Sequence, residues 1–189
     1  SLFLITTGNS NTAVGNTALR SNTTASNNTA VGYQAGYSNT TGAFNAFFGR
    51  LAGYANTTAN AVTAIGNGAA NANTTGANIT AVGSEALVLN TTGAYNTAVG
   101  SNALNSNTTA SKNTAVGYQA GYTTANEGLT AIGYQAGKTF NTAINWGDVY
   151  VGIASGELTT TGKDNAFVGG YSGNANTTGT SNTAIGAGV

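Results

Sequence analysis

The sequence predicts an all-β fold, a parallel β-solenoid with seventeen-residue coils. Three observations predict it. A five-residue motif, first present as Asn11-Thr-Ala-Val-Gly15, recurs at every seventeenth position, and a second motif, Asn-Thr-Thr, keeps the same interval twelve positions into that frame. Ala, Thr, Gly and Asn make up 121 of the 189 residues. Such a unit is too short for helix-pair repeats or propeller blades, and it matches one turn of a solenoid.

The first motif predicts a short strand in each coil. Coil positions are numbered 1 to 17 from Asn11, and copies of the motif lie at 28–32, 45–49, 62–66, 79–83, 96–100 and 113–117. Positions 2 and 4 face one way, and positions 1, 3 and 5 face the other. We expect position 4 to fill the thin interior, with the row Val14, Val31, Phe48, Ile65, Val82, Val99, Val116, Ile132, Ile144, Val168 and Ile185. The Ala row at position 3, interrupted by Phe47 and Phe167, is the alternative.

The rest of the coil is predicted to contain corners. Tyr-Gln-Ala-Gly, at 33–36, 118–121 and 134–137, indicates a corner into a second strand, and Asn-Thr-Thr indicates the corner back. An Ala recurs at position 8 in the first seven coils. Helix is disfavoured, because Gly, Asn and Thr are poor helix formers and no segment carries a helical apolar stripe.

The repeat frame divides the chain into four parts. Residues 1–10 are a short apolar segment that docks or continues a longer chain, and residues 11–140 carry the regular coils. The frame slips at 129 and again at 141, which gives a sixteen-residue and a twelve-residue unit, and we expect both to shorten the Asn-Thr-Thr corner while keeping the strand. Residues 141–164 are predicted to be an irregular insertion, and the repeats resume at 165–189.

Composition excludes several functional classes. The chain has no His, Cys, Met or Pro, and its five basic and five acidic residues give a net charge of zero. It therefore lacks the usual nucleophile triads and zinc ligands, and it lacks the basic surface that nucleic-acid binding needs. No segment resembles a transmembrane helix. We expect no enzyme activity, no cofactor, no metal site, no nucleic-acid partner and no membrane insertion.

One group of residues suggests ligand contact. Trp146, Asp148 and Tyr150 place two aromatic rings beside a carboxylate, a combination common in carbohydrate-binding sites. The alternative is an insertion loop whose Trp covers the end of the apolar row. Both interpretations stay open on the sequence alone.

The Asn-Thr-Thr column has two interpretations as well. Seven of its Asn residues are N-glycosylation acceptors by sequence, and a solenoid would align them along one edge: Asn22, Asn39, Asn56, Asn73, Asn90, Asn107 and Asn176. The alternative is that their amides form a stacked ladder and satisfy turn hydrogen bonds.

The repeat resembles a known group of surface proteins. Asn-Thr-Ala-Val-Gly-Tyr-Gln-Ala-Gly at 113–121, with spacers such as Ser38-Asn-Thr-Thr-Gly42, is similar to the head repeats of YadA-like trimeric autotransporter adhesins and to repeats of phage tail fibres. The resemblance implies a left-handed β-roll, a homotrimer, and a rigid shaft or receptor-binding head. It also implies an extracellular position on a virion or cell surface, with a host receptor or carbohydrate as partner.

Three functions follow as expectations. The first is a non-enzymatic structural and adhesive fibre segment, the second is a homopolymeric extracellular filament, glycosylated or not, and the third is an ice-binding solenoid. The third is disfavoured, because the two Thr of each Asn-Thr-Thr corner are adjacent and so point to opposite faces, unless the corner geometry changes their direction. The first two need self-association, and we expect the small side chains of the Ala row, for example Ala81 and Ala98, to form the contact.

Overall fold

The computed structural model describes residues 3–139 and 147–189 and shows a parallel β-solenoid of about ten turns. Each coil contributes one short strand to a single sheet, and eleven strands follow one another in chain order. The strands are β1 Thr12–Val14, β2 Thr29–Val31, β3 Ala46–Phe48, β4 Val62–Ile65, β5 Ile79–Val82, β6 Thr97–Val99, β7 Thr114–Val116, β8 Thr130–Ile132, β9 Val149–Val151, β10 Ala166–Val168 and β11 Thr183–Ile185. Strand is the only regular secondary structure in the described residues.

The strand register confirms the seventeen-residue frame. Val14 pairs with Val31, Val31 with Phe48, and Phe48 with Ile65, so equivalent positions stack directly along the axis. At about 4.8 Å per strand, the ten intervals between eleven strands give a rod about 48 Å long.

Turns complete each coil, and in the described residues no coil contains a second strand. The turns bond from coil to coil as the strands do; for example, the Leu87 N–H donates to the Ala103 carbonyl at 3.0 Å. Left-handed backbone conformations bend the chain, as at Glu85, Leu87 and Tyr95, whose φ angles are 56°, 52° and 58°. The prediction of a second strand at the Tyr-Gln-Ala-Gly corner was therefore wrong.

Glycine at position 5 follows from close contact between coils. At Gly83, φ is 134°, and a Cβ atom would lie 2.5 Å from the Gly100 carbonyl oxygen. A side chain there would collide with backbone that cannot move without breaking the ladder. The same contact, at 2.3–2.5 Å, explains the position-5 glycine beside the first ten strands, and Gly186 beside the last strand keeps the same positive φ, at 136°.

The interior is formed by position 3, not position 4. Ala30, Ala81 and Ala98 are fully buried, whereas Ile65 is 41% and Ile185 is 75% exposed. The expected Val and Ile row therefore points outward, and the alternative Ala row is the core; Ile144, predicted in the same row, lies outside the described residues. The reason is the alternation of side chains along a strand, which puts positions 1 and 3 on the same face. The Asn amide at position 1 must reach buried turn carbonyls, as Asn28 Nδ2 does when it donates to Gly42 O at 2.9 Å, so position 3 faces inward as well.

Large and small residues compensate inside the rod. In coils 79–95 and 96–112, position 3 is Ala and position 9 is Leu87 or Leu104. Where position 3 is Phe47, Tyr150 or Phe167, position 9 of the same coil is glycine, and a Cβ there would overlap the ring. Each of these coils therefore buries one large side chain, which keeps the packing dense in a narrow interior.

The two frame slips lie in the Asn-Thr-Thr corner. Thr114 pairs with Thr130, so the first slip gives a sixteen-residue coil, as predicted, and Ile132 stacks on Val116 without interruption. The next strand is β9 at 149–151, since Thr130 pairs with Val149, so this coil is nineteen residues long and the predicted twelve-residue unit from Asn141 was wrong. The Thr139 N–H still makes the usual bond to the next coil, at Glu157 O.

The segments outside the regular repeats belong largely to the same stack. Residues 148–164, placed by the sequence in an irregular insertion, form a seventeen-residue coil from Asp148 to Asp164. Residues 6–8 are also in the stack: the N–H groups of Thr6 and Gly8 donate to Thr23 O at 2.9 and 3.3 Å, just as Thr40 and Gly42 donate to Thr57 O.

Candidate functional site

Two of the three residues in the predicted ligand group, Asp148 and Tyr150, do not face solvent. Asp148 and Tyr150 occupy inward positions 1 and 3 of their coil, and both are buried. Asp148 Oδ1 accepts a hydrogen bond from the Tyr150 hydroxyl at 3.1 Å and one from the Asn165 N–H at 2.8 Å. Trp146 lies outside the described residues. Asp148 and Tyr150 are therefore core residues, and their prediction as ligand contacts was wrong.

Burial changes the acidity of both groups. It raises the pKa of the Asp148 carboxyl above its ordinary value of 3.8, although the hydrogen bonds from Asn165 and Tyr150 oppose the shift. Burial and the neighbouring Asp148 carboxylate raise the pKa of the Tyr150 hydroxyl as well. A buried tyrosine of this kind stays protonated and donates its hydrogen bond, so the pair contributes to the core structure.

The Asn-Thr-Thr asparagines line the interior. The first six, Asn22 to Asn107, are completely buried, and each amide from Asn39 on donates to the Oδ1 of the preceding one at 2.8–3.0 Å. Each Nδ2 from Asn39 to Asn107 donates also to the carbonyl three residues on, as Asn73 does at Gly76 O. A glycan is attached through this same nitrogen, so these six residues cannot carry one in the folded rod.

The seventh candidate, Asn176, is partly buried and donates to Gly179 O at 3.2 Å. It takes the same turn role as the other six. The amide-ladder interpretation therefore describes this column, and glycosylation of the aligned column does not fit the structure.

A second internal column stands at position 1. Asn45 Oδ1 accepts the Val62 N–H at 2.9 Å, and its Nδ2 donates to Ala59 O at 3.0 Å, so one side chain joins two coils. Asp148 takes this place in its own coil. Buried amides that are bonded at both ends stabilise one register of the stack, because a shifted register would leave them unpaired.

The Thr residues of the corner are oriented outward or half outward. Thr40, Thr57 and Thr74 are half-buried, and the hydroxyl of each donates to the Thr carbonyl of the next coil at 3.0 Å. The following Thr in each pair, for example Thr58 or Thr75, is exposed. These hydroxyls and amides hold the corner together in every regular coil.

The outward face of the sheet is a regular surface that runs through all eleven strands. We call it the outer strip and define it by positions 2 and 4 of the eleven strands, which are Thr12, Val14, Thr29, Val31, Ala46, Phe48, Thr63, Ile65, Thr80, Val82, Thr97, Val99, Thr114, Val116, Thr130, Ile132, Val149, Val151, Ala166, Val168, Thr183 and Ile185. One rank consists mainly of Thr, and the other contains only Val, Ile and Phe. Hydrophobicity predicts the second rank inside the rod, and that prediction hides this surface. The signal that reveals it is Asn at position 1, whose buried amide puts positions 1 and 3 on the inner face.

Aromatic residues lie outside the strip on both margins. On one side Phe44 and Tyr95 are exposed at position 17, and on the other Tyr118 and Tyr134 stack at position 6 with ring centroids 5.3 Å apart. Further along the coil, at position 10, Tyr37 stacks on Tyr54.

Other functional features are few in the described residues. They contain no group of three potential metal-ligating side chains and no helix that could cross a membrane. The chain matches no protein-family model, no curated protein and no solved structure. The outer strip, its margins and the corners are therefore the surfaces from which a function is inferred.

Proposed function

We propose that this chain is a non-enzymatic structural and adhesive segment of a fibre on a virion or cell surface, working as a rigid shaft or receptor-binding head. One observation carries the proposal: the stack continues in register through eleven strands, including the sixteen-residue and the nineteen-residue coil. Two columns of buried side chains join successive coils and oppose slippage. A rod of this kind transmits force and holds a constant length, which is what a shaft requires.

The assembly belongs to the proposal as well. The residues that resemble adhesin-head and tail-fibre repeats support a left-handed roll in a homotrimer, outside the cell, with a host receptor or carbohydrate as partner. Light scattering and negative-stain images of the 189-residue chain test this. We expect a mass of three chains and particles about 48 Å long. A single-chain mass at all concentrations would refute it.

A homopolymeric filament is the alternative, and one observation favours it. Residues 6–8 bond as part of the stack, so the segment Ser1 to Thr7 could join a neighbouring subunit without a new fold. Images of particles that lengthen with concentration would select the filament. Particles of one length would select the closed fibre segment.

Ice binding gains support from the outer strip. Thr63, Thr80, Thr97, Thr114 and Thr130 lie side by side on one flat face, with Val or Ile two residues further on. The objection that adjacent Thr point apart concerns the corner and does not apply to this rank. Thermal hysteresis measured on the single chain tests this function, which requires the strip to stay open to water.

A further inference from the structure

The outer strip faces solvent in the single chain, although one of its two ranks is entirely apolar. Val14 is 56% and Ile132 is 40% exposed, and neither has a covering segment in the described residues. The strip is about 48 Å long and, with two side-chain ranks, about 10 Å wide, or roughly 500 Å² of flat surface. An uncharged surface of that size that carries a continuous row of eleven apolar side chains is typical of an interaction site.

Charge is absent from the strip. The ten charged residues of the chain all lie elsewhere, so neither outward rank contains one in any of the eleven strands. Most charged side chains are on the turns, where Lys112 lies 3.9 Å from Glu127 and Lys138 lies 3.9 Å from Glu157. A partner therefore has to be uncharged and apolar where it meets the strip.

Exposed aromatic residues on both margins extend this surface, as they do in protein–protein interfaces. Phe44 and Tyr95 are 67% and 62% exposed beside one rank, and Tyr118 and Tyr134 lie beside the other. Aromatic residues around an uncharged apolar centre are typical of protein–protein contacts. Together with these margins the surface approaches the roughly 800 Å² that each partner buries in a standard interface.

The period of the strip selects the partner. Side chains repeat at the strand spacing of about 4.8 Å, so a matching partner must present apolar side chains at the same interval over many strands. A second copy of this rod does so by construction. Because both rods are rigid, contacts made in one coil are repeated in the next, and small individual contacts add along the whole length.

We propose that copies of this chain pack against one another through their outer strips. This inference rests on the proposed fibre function and names the contact within it. It replaces the expectation that the Ala row forms the contact, because Ala81 and Ala98 are fully buried inside each rod and cannot touch a partner.

The test is a matched pair of double variants. Val82→Lys with Val99→Lys puts two charges on the strip, and Thr92→Lys with Thr109→Lys puts two charges on the exposed corner of the same two coils. Light scattering gives the mass, and circular dichroism checks the fold. We expect the strip variant to fall to the single-chain mass with an unchanged spectrum, and the corner variant to keep the mass of the unaltered protein.

A second measurement covers the case in which the charged strip variant does not fold. The chain has no cysteine, so Val99→Cys and Thr109→Cys each introduce one thiol with little change in volume. Maleimide labelling of the assembled protein should be at least tenfold slower for Val99→Cys than for Thr109→Cys. Dilution to single chains should raise the Val99→Cys rate and leave only the smaller difference between a half-buried and an exposed position.

The outcomes separate this inference from the fibre proposal. If the strip variant stays assembled, or if Val99→Cys labels as fast as Thr109→Cys in the assembly, the strip is not the contact while the fibre proposal stands. If the unaltered chain is a single chain at every concentration, both fail.

Discussion

The two faces of each strand differ in what they allow, although only one residue separates them. Inward, Ala98 is fully buried, and a larger residue such as Phe47 or Tyr150 is present only where glycine lies opposite. Outward, position 4 is Val, Ile or Phe in the eleven strands. Residue choice on the inner face is therefore restricted by volume and hydrogen bonding. On the outer face it is restricted by the partner that the strip contacts.

The largest expected effect comes from placing a charge on the inner face, and the outer face provides the matched control. Ala98→Asp should lower the free energy of unfolding by about 4 kcal/mol, because the carboxylate would have neither water nor a partner inside the rod. Val99→Asp, one residue on, should cost about 1 kcal/mol in the single chain, from reduced strand propensity. Urea unfolding followed by circular dichroism measures both, and equal losses would contradict the assignment of faces.

A size exchange inside the rod should show strong coupling. Phe47→Ala alone should cost about 4 kcal/mol, and Gly53→Leu alone about 2 kcal/mol through overlap with the ring. The double variant recreates the Ala and Leu pair of coil 79–95, where Leu87 already adopts a φ of 52°. We expect its cost to fall short of the sum by about 2 kcal/mol in a double-mutant cycle. Additive costs would show that the two positions do not share one space.

The amide ladder gives a smaller contrast between its middle and its end. Asn73 donates to Asn56 and Gly76 and accepts from Asn90, so Asn73→Ala should cost about 3 kcal/mol. Asn107 ends the ladder, since Thr124 follows it, and its Oδ1 has no partner in the described residues. Asn107→Ala should therefore cost about 1 kcal/mol less, as measured by thermal unfolding under identical conditions.

The smallest effect concerns pH. Burial raises the Asp148 pKa above 3.8, so the folded state holds its proton more tightly than the unfolded state. The free energy of unfolding should then fall as pH rises from 3.8 through the raised value, and stay constant above it. Asp148→Asn removes this dependence and can donate to Gly162 O, as Asn165 does to Gly179 O.

We expect Asp148→Asn to stabilise the rod by about 1 kcal/mol at pH 7. Relative to the native chain, the gain should be smaller at pH 3, where Asp148 is protonated in both states. Unfolding of the two chains at both pH values measures it. A gain that is larger at pH 3 would mean that the carboxylate is stabilised in the folded state.

The sequence was sufficient for the stacking and insufficient for the direction of the faces. Spacing alone placed Val14, Val31 and Phe48 above one another, because a solenoid converts sequence period into spatial register. Alternation alone could not say which face is inside. Hydrophobicity pointed to Val, but the buried role of the Asn amides decides, and that role becomes visible only when the carbonyls they reach are known.

The coil at 148–164 shows a second limit. Asn141-Thr-Ala-Ile matches the motif by letters, yet the strand that joins the sheet belongs to Asp148-Val-Tyr-Val-Gly152, which shares little with it. What that coil keeps is physical: an acceptor oxygen at position 1, a branched residue at position 4 and a glycine at position 5. The candidate ligand site was misjudged for the same reason, since Asp148 and Tyr150 substitute for Asn and Ala in the core.

The most direct test of the central claim is an experimental density map of the assembled protein at side-chain resolution, read at strand Thr97–Val99. The structure places Ala98 inside its own coil and Val99 on the outer strip. The proposed packing of rods puts Val99 in contact with a second copy. A map with Val99 inside the coil and Ala98 between chains would contradict both the assignment of faces and the proposed contact.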